Sequence, residues 1–276
     1  MAAYDAIVLG AGPAGLTAAT YLARFRRRVL VLGAGVSRAS WIPESHNTPG
    51  FPRGVSGDEL LRRLTEQAAQ FGAEIRQARA SRLARVGALF EVSVGRVKVQ
   101  APAVVLATGV RDRAPKVAGL EDAVRRSLVR MCPICDAYEA IDRRIAVLGD
   151  GGLAEREAAF LRTYSQQVTV IGAKAARRLS FTETEVQWAD PRGPSRTFDH
   201  LYLALGCELQ SALAVGCGAR RDKEGNLVVD LHQMTSVDGL FSAGDVVRGL
   251  NQIAVAVGEA AIAATAIHNR LREAAG

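Results

Sequence analysis

The sequence predicts an α/β fold with two βαβ domains, one of which is interrupted by the other. Two segments repeat the order of apolar strand, glycine-rich turn, helix and apolar strand, the first starting at Ala6 and the second near Arg144. Each covers about thirty residues, the size expected of a βαβ unit. Because the second segment lies inside the chain, we expect a discontinuous domain over residues 1–113 and 208–276 and a compact inserted domain over 114–207.

The composition is that of an ordinary globular protein. Of the 276 residues, 49% are hydrophobic and 23% are charged, both usual values. No apolar run reaches the roughly 18 residues that a membrane span needs. The strand pattern also begins too close to the N-terminus to leave room for a signal peptide. We therefore expect a soluble, cytoplasmic protein with no membrane partner.

The net charge of +7 comes almost entirely from arginines that are spread along the chain. No nucleic-acid-binding motif accompanies them, so we expect a solvated basic surface and no nucleic-acid partner. One small cluster differs in position: Arg125, Arg126 and Arg130 stand directly before a pair of cysteines.

The elements of the first domain follow from the hydrophobic pattern. An amphipathic helix is expected over 58–71 with Asp58 as its N-cap. The other elements are strands at 6–9 and 29–32 with a helix between them to about residue 26, β-structure over 75–107, and a closing helix over about 252–272.

The inserted domain is predicted to be short. Strands are expected at 145–148 and 168–171 with a helix over 155–164 between them, followed by β-structure over 179–205. Gly206 follows Gly172 by only 34 positions, and no second helix is evident between them. Part of an ordinary nucleotide-binding fold is therefore missing.

The turn after the first strand has the spacing G-x-G-x-x-G, with glycines at 10, 12 and 15. Such a turn lets the backbone approach a pyrophosphate, and the N–H groups at the start of the helix bind the anion. The turn therefore predicts a dinucleotide site. The acid usual at the end of the second strand is replaced by Gly33, so we expect the ribose contact to come from Arg38 or from the backbone.

The second turn has the related spacing G-x-G-x-x-A, formed by Gly149, Gly151 and Ala154. These residues are candidates for binding NAD(P). A tight strand-to-helix turn with no ligand is the alternative, and the residues alone leave both interpretations open.

Cys132-Pro-Ile-Cys135-Asp136 is the chemical centre of the sequence. Two residues between the cysteines allow a disulfide that opens and closes readily, and Asp136 stands where it could move protons during exchange. A zinc site would need two more ligands, and Cys207 and Cys217 are ten residues apart, which fits no common zinc spacing. We expect a redox-active pair and no metal.

Together these motifs resemble the low-molecular-weight thioredoxin reductases, which are class II FAD-dependent pyridine nucleotide-disulfide oxidoreductases. The resemblance covers almost the whole chain. Its motifs are GAGPAGLTAA at 10–19, SHNTPGFPRGVSG at 45–57, VVLATG at 104–109, CPICD at 132–136, GLFSAGDV at 239–246 and NQIAVAVGEAA at 251–261.

The resemblance implies a bound FAD. Asp245 would hold its ribityl or phosphate region, while Gln252 and Ile253 would meet the isoalloxazine at the start of the closing helix. The full set of expected FAD-binding residues is Gly10, Ala11, Gly12, Pro13, Ala14, Gly15, Arg38, His46, Asn47, Ala107, Thr108, Gly109, Gly244, Asp245, Gln252 and Ile253.

The resemblance also implies the function: an FAD-dependent thiol–disulfide oxidoreductase, homodimeric, that exchanges electrons with a thioredoxin-like protein or a small dithiol or disulfide. Cys135 would lie next to the flavin, Cys132 would react with the partner and Asp136 would handle the proton. Two alternatives stay open, namely a flavin dithiol oxidase that uses oxygen and a flavin-bound redox sensor or carrier without turnover.

One departure concerns the electron donor. Family members that use NADPH carry a His-Arg-Arg segment after the second strand of the inserted domain, whereas this chain reads Gly-Ala-Lys-Ala-Ala-Arg-Arg over 172–178. The use of NADPH or NADH is therefore doubtful, and reduction of the flavin by the dithiol substrate or another carrier is the favoured expectation.

Overall fold

A computed structural model describes residues 4–191 and 193–274 of the chain. Its first elements lie in the order β1 (Ala6–Leu9), α1 (Pro13–Arg24), β2 (Val29–Gly33), a 3-10 helix (Arg38–Trp41), α2 (Gly57–Gln70), β3 (Glu74–Gln77), β4 (Ala80–Val86), β5 (Leu89–Val94), β6 (Val97–Ala101), β7 (Ala103–Leu106) and β8 (Val110–Asp112).

The middle of the chain continues with α3 (Leu120–Arg125), β9 (Val129–Arg130), α4 (Pro133–Asp136), a 3-10 helix (Tyr138–Ala140), β10 (Ile145–Leu148), α5 (Gly151–Leu161), β11 (Val168–Ile171), a 3-10 helix (Ala173–Arg178), β12 (Leu179–Phe181), β13 (Val186–Trp188), β14 (Arg196–Phe198) and β15 (His200–Leu203). The last elements are β16 (Cys207–Leu209), α6 (Ala212–Gly216), β17 (Leu240–Ser242) and α7 (Ile253–Glu273). No helix in the described part of the chain is long and apolar enough to cross a membrane.

The chain divides into two compact units. The first contains the residues up to Ser40, Asp58–Arg111 and the residues from Leu209 onward; the second contains Trp41–Gly57 and Asp112–Glu208. The segment 41–57 belongs to the first domain in the sequence-based prediction, whereas its contacts group it with the second unit. Within this segment, Ser45 and Val55 exchange two backbone hydrogen bonds of 2.8 and 3.1 Å, which close it into a loop.

The first unit is built on a parallel sheet with the strand order β17-β7-β1-β2-β3. Strand β1 lies at its centre, with Ala6 opposite both Val29 and Ala103. Side chains alternate across a strand, so Ala6 and Val8 pack with α1 and α7 on one face, while Ile7 and Leu9 pack towards the antiparallel strands β4 to β6 on the other. Burial on both faces explains why β1 reads as a continuous apolar run.

The second unit repeats this plan in smaller form. Its parallel sheet has the order β11-β10-β15-β9, and strands β12 to β14 form a separate antiparallel sheet. The α/β fold and the two βαβ arrangements predicted from the sequence are confirmed.

Several helix boundaries were predicted wrongly. Helix α2 starts at Gly57, so Asp58 lies inside it rather than at its N-cap. Helix α5 starts at Gly151 and ends at Leu161, because the glycine-rich turn itself forms the first helical turn despite the low helix propensity of glycine. Helix α3 was not foreseen. Between β11 and β15 the described residues contain only a 3-10 helix, Ala173–Arg178, and short strands.

Candidate functional site

The turn at residues 10–15 is shaped by close backbone contacts. Gly10 has φ of 116°, and a Cβ there would collide with the carbonyl oxygen of Ala107. A Cβ at Gly15 would collide with the carbonyl oxygen of Gly10. These two glycines therefore let β1, β7 and α1 meet tightly around the turn.

Gly12 has a different surrounding. It is the N-cap of α1 and makes no side-chain capping bond, and a Cβ there would meet only the Ser37 Oγ at 3.3 Å. The start of α1 thus presents backbone N–H groups past an unobstructed glycine, as a pyrophosphate requires. Pro13 and Ala14 form the first helical residues behind it. This part of the turn fits FAD.

The end of β2 has no room for the ribose-binding acid. A Cβ at Gly33 would lie 2.8 Å from the Cβ of Ala11, so these two residues exclude a larger side chain. The structure instead brings together two of the predicted FAD residues, with Arg38 Nη1 3.5 Å from Asp245 Oδ2. Both side chains are mostly buried, at 25% and 18% exposure. They form a charged pair that could hold the ribose or phosphate region.

Gly244 is anchored by a residue that the sequence analysis missed. Its N–H donates to Glu259 Oε2 at 2.8 Å, and Arg248 Nε donates to Glu259 Oε1 at 2.6 Å. Glu259 is only 5% exposed although it lies on α7 among alanines. A single acid in an otherwise apolar helical face is the signal that could have identified it.

The segment 107–109 is fixed by three hydrogen bonds. Ala107 N–H donates to the Leu9 carbonyl at 2.8 Å, and Thr108 Oγ1 donates to the Gln210 carbonyl at 2.5 Å. Gly109, with φ of 64°, accepts from Gln210 N–H at 3.0 Å. The segment therefore joins the end of β7 to the chain that precedes α6.

Helix α7 begins where the sequence predicted, with Gln252 as N-cap and Ile253 as its first residue. Gln252 makes no side-chain capping bond, so the backbone N–H groups of the first turn are open towards a ligand. A helix N-terminus stabilises negative charge, which suits a reduced, anionic flavin.

The remaining two predicted FAD residues lie in the second unit. Asn47 Oδ1 accepts from Ser45 Oγ at 3.1 Å, and His46 Nε2 lies 3.2 Å from Glu44 Oε2 with the imidazole 41% exposed. Both belong to the loop closed by Ser45 and Val55.

Cys132 and Cys135 are joined by a disulfide, as predicted, with Cα atoms 5.3 Å apart. Cys132 is the N-cap of the short helix α4, and Cys135 N–H donates to the Cys132 carbonyl at 3.0 Å. Both cysteines are partly buried. Cys207 and Cys217 make no disulfide, and the described residues contain no cluster that could hold a metal ion.

Both oxygens of Asp136 have a partner. Tyr202 Oη donates to Oδ1 at 2.9 Å, and Arg130 Nη1 lies 3.1 Å from Oδ2. Burial raises the pKa of Asp136 above its ordinary value, although the charge of Arg130 and the Tyr202 hydroxyl act against this rise. Burial also raises the pKa of Tyr202, and the adjacent Asp136 charge raises it further. From the sequence, Arg130 stands out only as a member of an arginine cluster, and no pattern marks Tyr202.

A cavity of about 460 Å³ lies in the second unit. His200 stands in its wall with a pKa lowered to about 4, first by burial and then by the charge of Arg130. Glu139 Oε2 is buried there without a hydrogen-bond partner in the described chain. The lining residues are Leu128, Arg130, Glu139, Arg143, Thr184, Glu185, Asp199 and His200.

The turn at residues 149–154 has close packing of its own. A Cβ at Gly149 would collide with the Ala204 carbonyl oxygen and would lie 3.1 Å from the Cβ of Ala154. Packing alone therefore explains these two residues. Gly151, with φ of 68°, faces open space, so the backbone beside it could accept a pyrophosphate.

An acidic side chain from the turn after β10 lies at the end of β11. Asp150 Oδ1 accepts from the Ala173 N–H at 3.2 Å and would lie 3.1 Å from a Cβ at Gly172. The ribose of a dinucleotide binds at this end of the second strand. A carboxylate there would repel the 2′-phosphate of NADPH. Arg177 and Arg178 lie exposed in the following 3-10 helix. The residues at the end of β11 do not fit a 2′-phosphate.

Comparison with known proteins identifies the family. A family model described as pyridine nucleotide-disulphide oxidoreductase matches residues 4–187 and 182–260. A thioredoxin reductase of Mycolicibacterium smegmatis is 33% identical over 280 residues, covering 88% of each chain, and one of Treponema pallidum is 29% identical over 296 residues, covering 95% of each.

Solved structures agree with these relatives. The crystal structure of thioredoxin reductase from Streptococcus pyogenes superposes with a TM-score of 0.88, at 26% identity and with 98% of each chain covered. The dinucleotide turn, the disulfide and these similarities have one explanation. The chain belongs to the pyridine nucleotide-disulphide oxidoreductase family as a member similar to the low-molecular-weight thioredoxin reductases, and it is an FAD-dependent thiol–disulfide oxidoreductase.

Proposed function

We propose that the enzyme exchanges electrons between FAD and a dithiol or disulfide substrate through Cys132 and Cys135, with a thioredoxin-like protein as its partner. The observation that carries this proposal is the Cys132–Cys135 disulfide with the hydrogen-bonded carboxylate of Asp136 directly after it. The dinucleotide turn of the other unit supports it, because a flavin needs such a cradle.

The FAD would be held by residues of the first unit. Gly12 and the start of α1 would receive the pyrophosphate, Arg38 and Asp245 would hold the ribose or phosphate region, and Gln252 with Ile253 would meet the ring. When bound, FAD supplies a carrier for one electron pair. His46 and Asn47 are proposed to take part from the flavin-side loop.

In the reductase direction, the Cys132–Cys135 disulfide takes up one electron pair and one proton. The bond breaks, and the products are a thiol at Cys135 and a thiolate at Cys132. The Cys132 thiolate then attacks the substrate disulfide, which releases one substrate sulfur that gains a proton from Asp136. Cys135 next gives its proton to Asp136 and attacks Cys132 in the mixed disulfide, and the second substrate sulfur leaves as a thiolate that takes up this proton. This step restores the internal disulfide and releases the reduced substrate as a dithiol.

Exposed apolar side chains beside the disulfide support a protein as partner. Ile134 lies between the two cysteines with 56% of its side chain exposed, and Tyr138 follows with 75% exposed. Large exposed apolar groups are typical of surfaces that bind other proteins. A small dithiol would not need them. We also propose a homodimer, which sedimentation analysis would test.

A second function is favoured by Asp150. Its carboxylate at the end of β11 disfavours NADPH, so electrons could instead enter from a dithiol substrate. In that direction the dithiol would reduce the Cys132–Cys135 disulfide and leave as a disulfide. Bound FAD would supply the carrier for the electron pair, and oxygen would take up this pair with two protons as hydrogen peroxide. The same residues serve both directions.

Anaerobic titration of the FAD-loaded enzyme with NADPH, NADH and dithiothreitol in turn tests both functions. We expect dithiothreitol to bleach the flavin quickly and NADPH to do so slowly. Rapid bleaching by NADPH would support the ordinary reductase direction instead. Steady-state turnover with a dithiol and oxygen, or with a thioredoxin disulfide, would exclude a sensor without turnover. Cys135→Ser should abolish exchange with dithiothreitol, and retention of that exchange would contradict the role of the pair.

A further inference from the structure

Two residues from neighbouring strands converge on the Asp136 carboxylate. Arg130 ends β9 and Tyr202 lies in β15, and the two are direct partners in the parallel register. Side chains of paired residues lie on the same face of a sheet. Arg130 and Tyr202 can therefore contact one carboxylate together, through the 3.1 Å ion pair to Oδ2 and the 2.9 Å hydrogen bond to Oδ1. They also approach the backbone carbonyl of Asp136, at 3.4 and 3.2 Å.

These contacts are well shielded from water. Tyr202 has no exposed surface, and the side chains of Arg130 and Asp136 are 10% and 23% exposed. An ion pair in such a place is much less screened than one on the surface. The loss of one partner would leave a buried charge without compensation, which is strongly unfavourable.

We propose that Arg130 and Tyr202 are positioning residues for thiol–disulfide exchange: they fix the Asp136 carboxylate beside Cys135 and set the pH at which it carries the proton for a leaving thiolate. This inference rests on the proposed proton-handling role of Asp136. It adds two residues to the exchange machinery, neither of which belongs to the motif around the cysteines.

The groups that face Asp136 act in opposite directions. Burial is the largest influence and raises its pKa, and the negative charge of Glu139 acts in the same sense. The charge of Arg130 opposes them most strongly, and the Tyr202 hydroxyl adds to its effect. Removal of Arg130 leaves only the Tyr202 hydroxyl to oppose burial and Glu139, so Asp136 would then stay protonated to a higher pH. Removal of the Tyr202 hydroxyl should have the same direction and a smaller size.

The neighbouring His200 is neutral, so Asp136 is the charged partner of Arg130 in this cluster. His200 Nδ1 lies 3.4 Å from Arg130 Nε and 3.1 Å from the Ser127 carbonyl oxygen. Because its pKa is lowered to about 4, the imidazole is neutral throughout the physiological pH range. Arginine keeps its charge at every relevant pH. Neither Arg130 nor His200 therefore changes its charge in this range, and a shift of the pH profile is assigned to Asp136.

The exchange step with dithiothreitol as substrate is balanced. One dithiothreitol thiolate attacks Cys132 Sγ, the bond to Cys135 Sγ breaks, and the Cys135 thiolate takes a proton from Asp136. The second dithiothreitol sulfur loses its proton, which returns to Asp136 or the solvent, and displaces Cys132. Dithiothreitol is oxidised to its cyclic disulfide, and the protein pair is reduced by two electrons.

The test measures anaerobic flavin bleaching by dithiothreitol between pH 5.5 and 9 in the FAD-loaded enzyme. Compared with the wild type, Arg130→Gln should move the part of the profile that depends on Asp136 upward by about one pH unit, and Tyr202→Phe should move it by less. The matched control is Arg125→Gln, which removes a charge from a side chain that is 65% exposed and should leave the profile unchanged. The ionisation of dithiothreitol is common to all variants and cancels.

A double variant separates positioning from a general structural effect. In the Asp136→Asn background, Arg130→Gln should cause no further shift, because the titrating group is gone. If Arg130→Gln and Tyr202→Phe both follow the wild-type profile, or if the Arg130→Gln shift persists in the Asp136→Asn background, the inference is wrong. If Arg130→Gln does not bind FAD, Tyr202→Phe and Arg130→Lys replace it in the test. Tyr202→Phe keeps the buried ring and should still shift the profile, whereas Arg130→Lys keeps the charge and should shift it less than Arg130→Gln would.

Two further outcomes distinguish a failure of this inference from a failure of the proposed electron exchange through Cys132 and Cys135. If Asp136→Asn alone has the wild-type profile, Asp136 handles no proton and the inference falls with that role. If dithiothreitol does not bleach the wild-type flavin, or bleaches Cys135→Ser equally fast, the proposed function itself fails. The positioning role alone is contradicted if dithiothreitol bleaches the wild-type flavin, Asp136→Asn slows this bleaching, and Arg130→Gln leaves its pH profile unchanged.

Discussion

The two glycine-rich turns have almost the same sequence spacing but different surroundings. In the turn at 10–15, the residue after the first glycine is Ala11, which packs against Gly33 at the end of β2. In the turn at 149–154, the corresponding residue is Asp150, whose carboxylate bonds to Ala173 just after β11. A glycine pattern thus predicts the shape of the backbone, whereas the side chain beside it decides which charge the turn accepts.

The two turns also differ in the charged residues that lie beside them. The first turn stands beside the charged pair Arg38–Asp245 and beside Gly244, which Glu259 anchors. The second turn has an acid at its edge, while Arg177 and Arg178 are exposed. The first turn is therefore equipped for a bound dinucleotide, whereas the acid beside the second turn is unfavourable for a 2′-phosphate.

The largest expected effect separates the two turns directly. Gly12→Val should weaken FAD binding at least about a hundredfold, or about 2.7 kcal/mol, because a branched side chain covers the start of α1 and meets Ser37. Gly151→Ala in the second turn should leave FAD binding unchanged. Fluorescence titration of the apoprotein with FAD measures both. Equal losses in the two variants would mean that the turns do not differ in this way.

The second prediction concerns the charged pair. Arg38→Gln should weaken FAD binding about tenfold, since the loss of a charge-assisted hydrogen bond from Arg38 to FAD would cost about 1.5–3 kcal/mol. It would also remove the ion-pair partner that lies 3.5 Å from Asp245. Arg24→Gln, on the surface of α1 with its guanidinium over Phe71, is the control. An unchanged dissociation constant in Arg38→Gln would assign the ribose contact to the backbone.

The third prediction tests the acid of the second turn. Asp150→Asn keeps the side-chain oxygen that accepts from Ala173 but removes its charge. We expect binding of 2′,5′-ADP to improve about fivefold, or about 1 kcal/mol, with little change for ADP. Calorimetric titration measures both ligands without any turnover. An equal effect on the two ligands would show that Asp150 does not act on the 2′-phosphate.

The smallest effect is a pH dependence that only the second βαβ unit should show. Burial raises the pKa of Glu157 on α5 to about 7 from its ordinary 4.5, and its Oε2 has no hydrogen-bond partner in the described chain. The folded state therefore holds a proton that the unfolded state releases. Its contribution to stability is present below pH 4.5 and is lost as the pH rises towards 7.

Thermal unfolding between pH 5 and 8 measures this effect. Glu157→Gln should reduce the fall in Tm with rising pH, whereas Glu155→Gln, an exposed change on the same helix, should not. Helix α1 of the first unit contains no acidic residue and makes no such contribution. Parallel curves for the wild type and Glu157→Gln would contradict the assignment.

Much of the fold could be predicted from local pattern. Strands β1, β10 and β11 have the predicted bounds, because runs buried on both faces are continuously apolar. The start of α5 was misplaced, since intrinsic propensity puts glycine outside a helix, whereas the turn continues directly into it. Helix α3 was missed because six residues are too few for a clear 3.6-residue period.

The chain's own sequence determined the cysteine pair, the two turns and the acid that follows Cys135, because each is a short pattern whose chemistry depends on neighbouring residues. The tertiary structure alone decided that Arg130 and Tyr202 meet at Asp136, that Arg38 reaches Asp245 and that Glu259 holds Gly244. Tyr202 lies 66 residues from Asp136 in the chain. Parallel strands join residues distant in sequence and set which side chains share a face. The protonation and charge of the site depend on those partners, so no local pattern could reveal them.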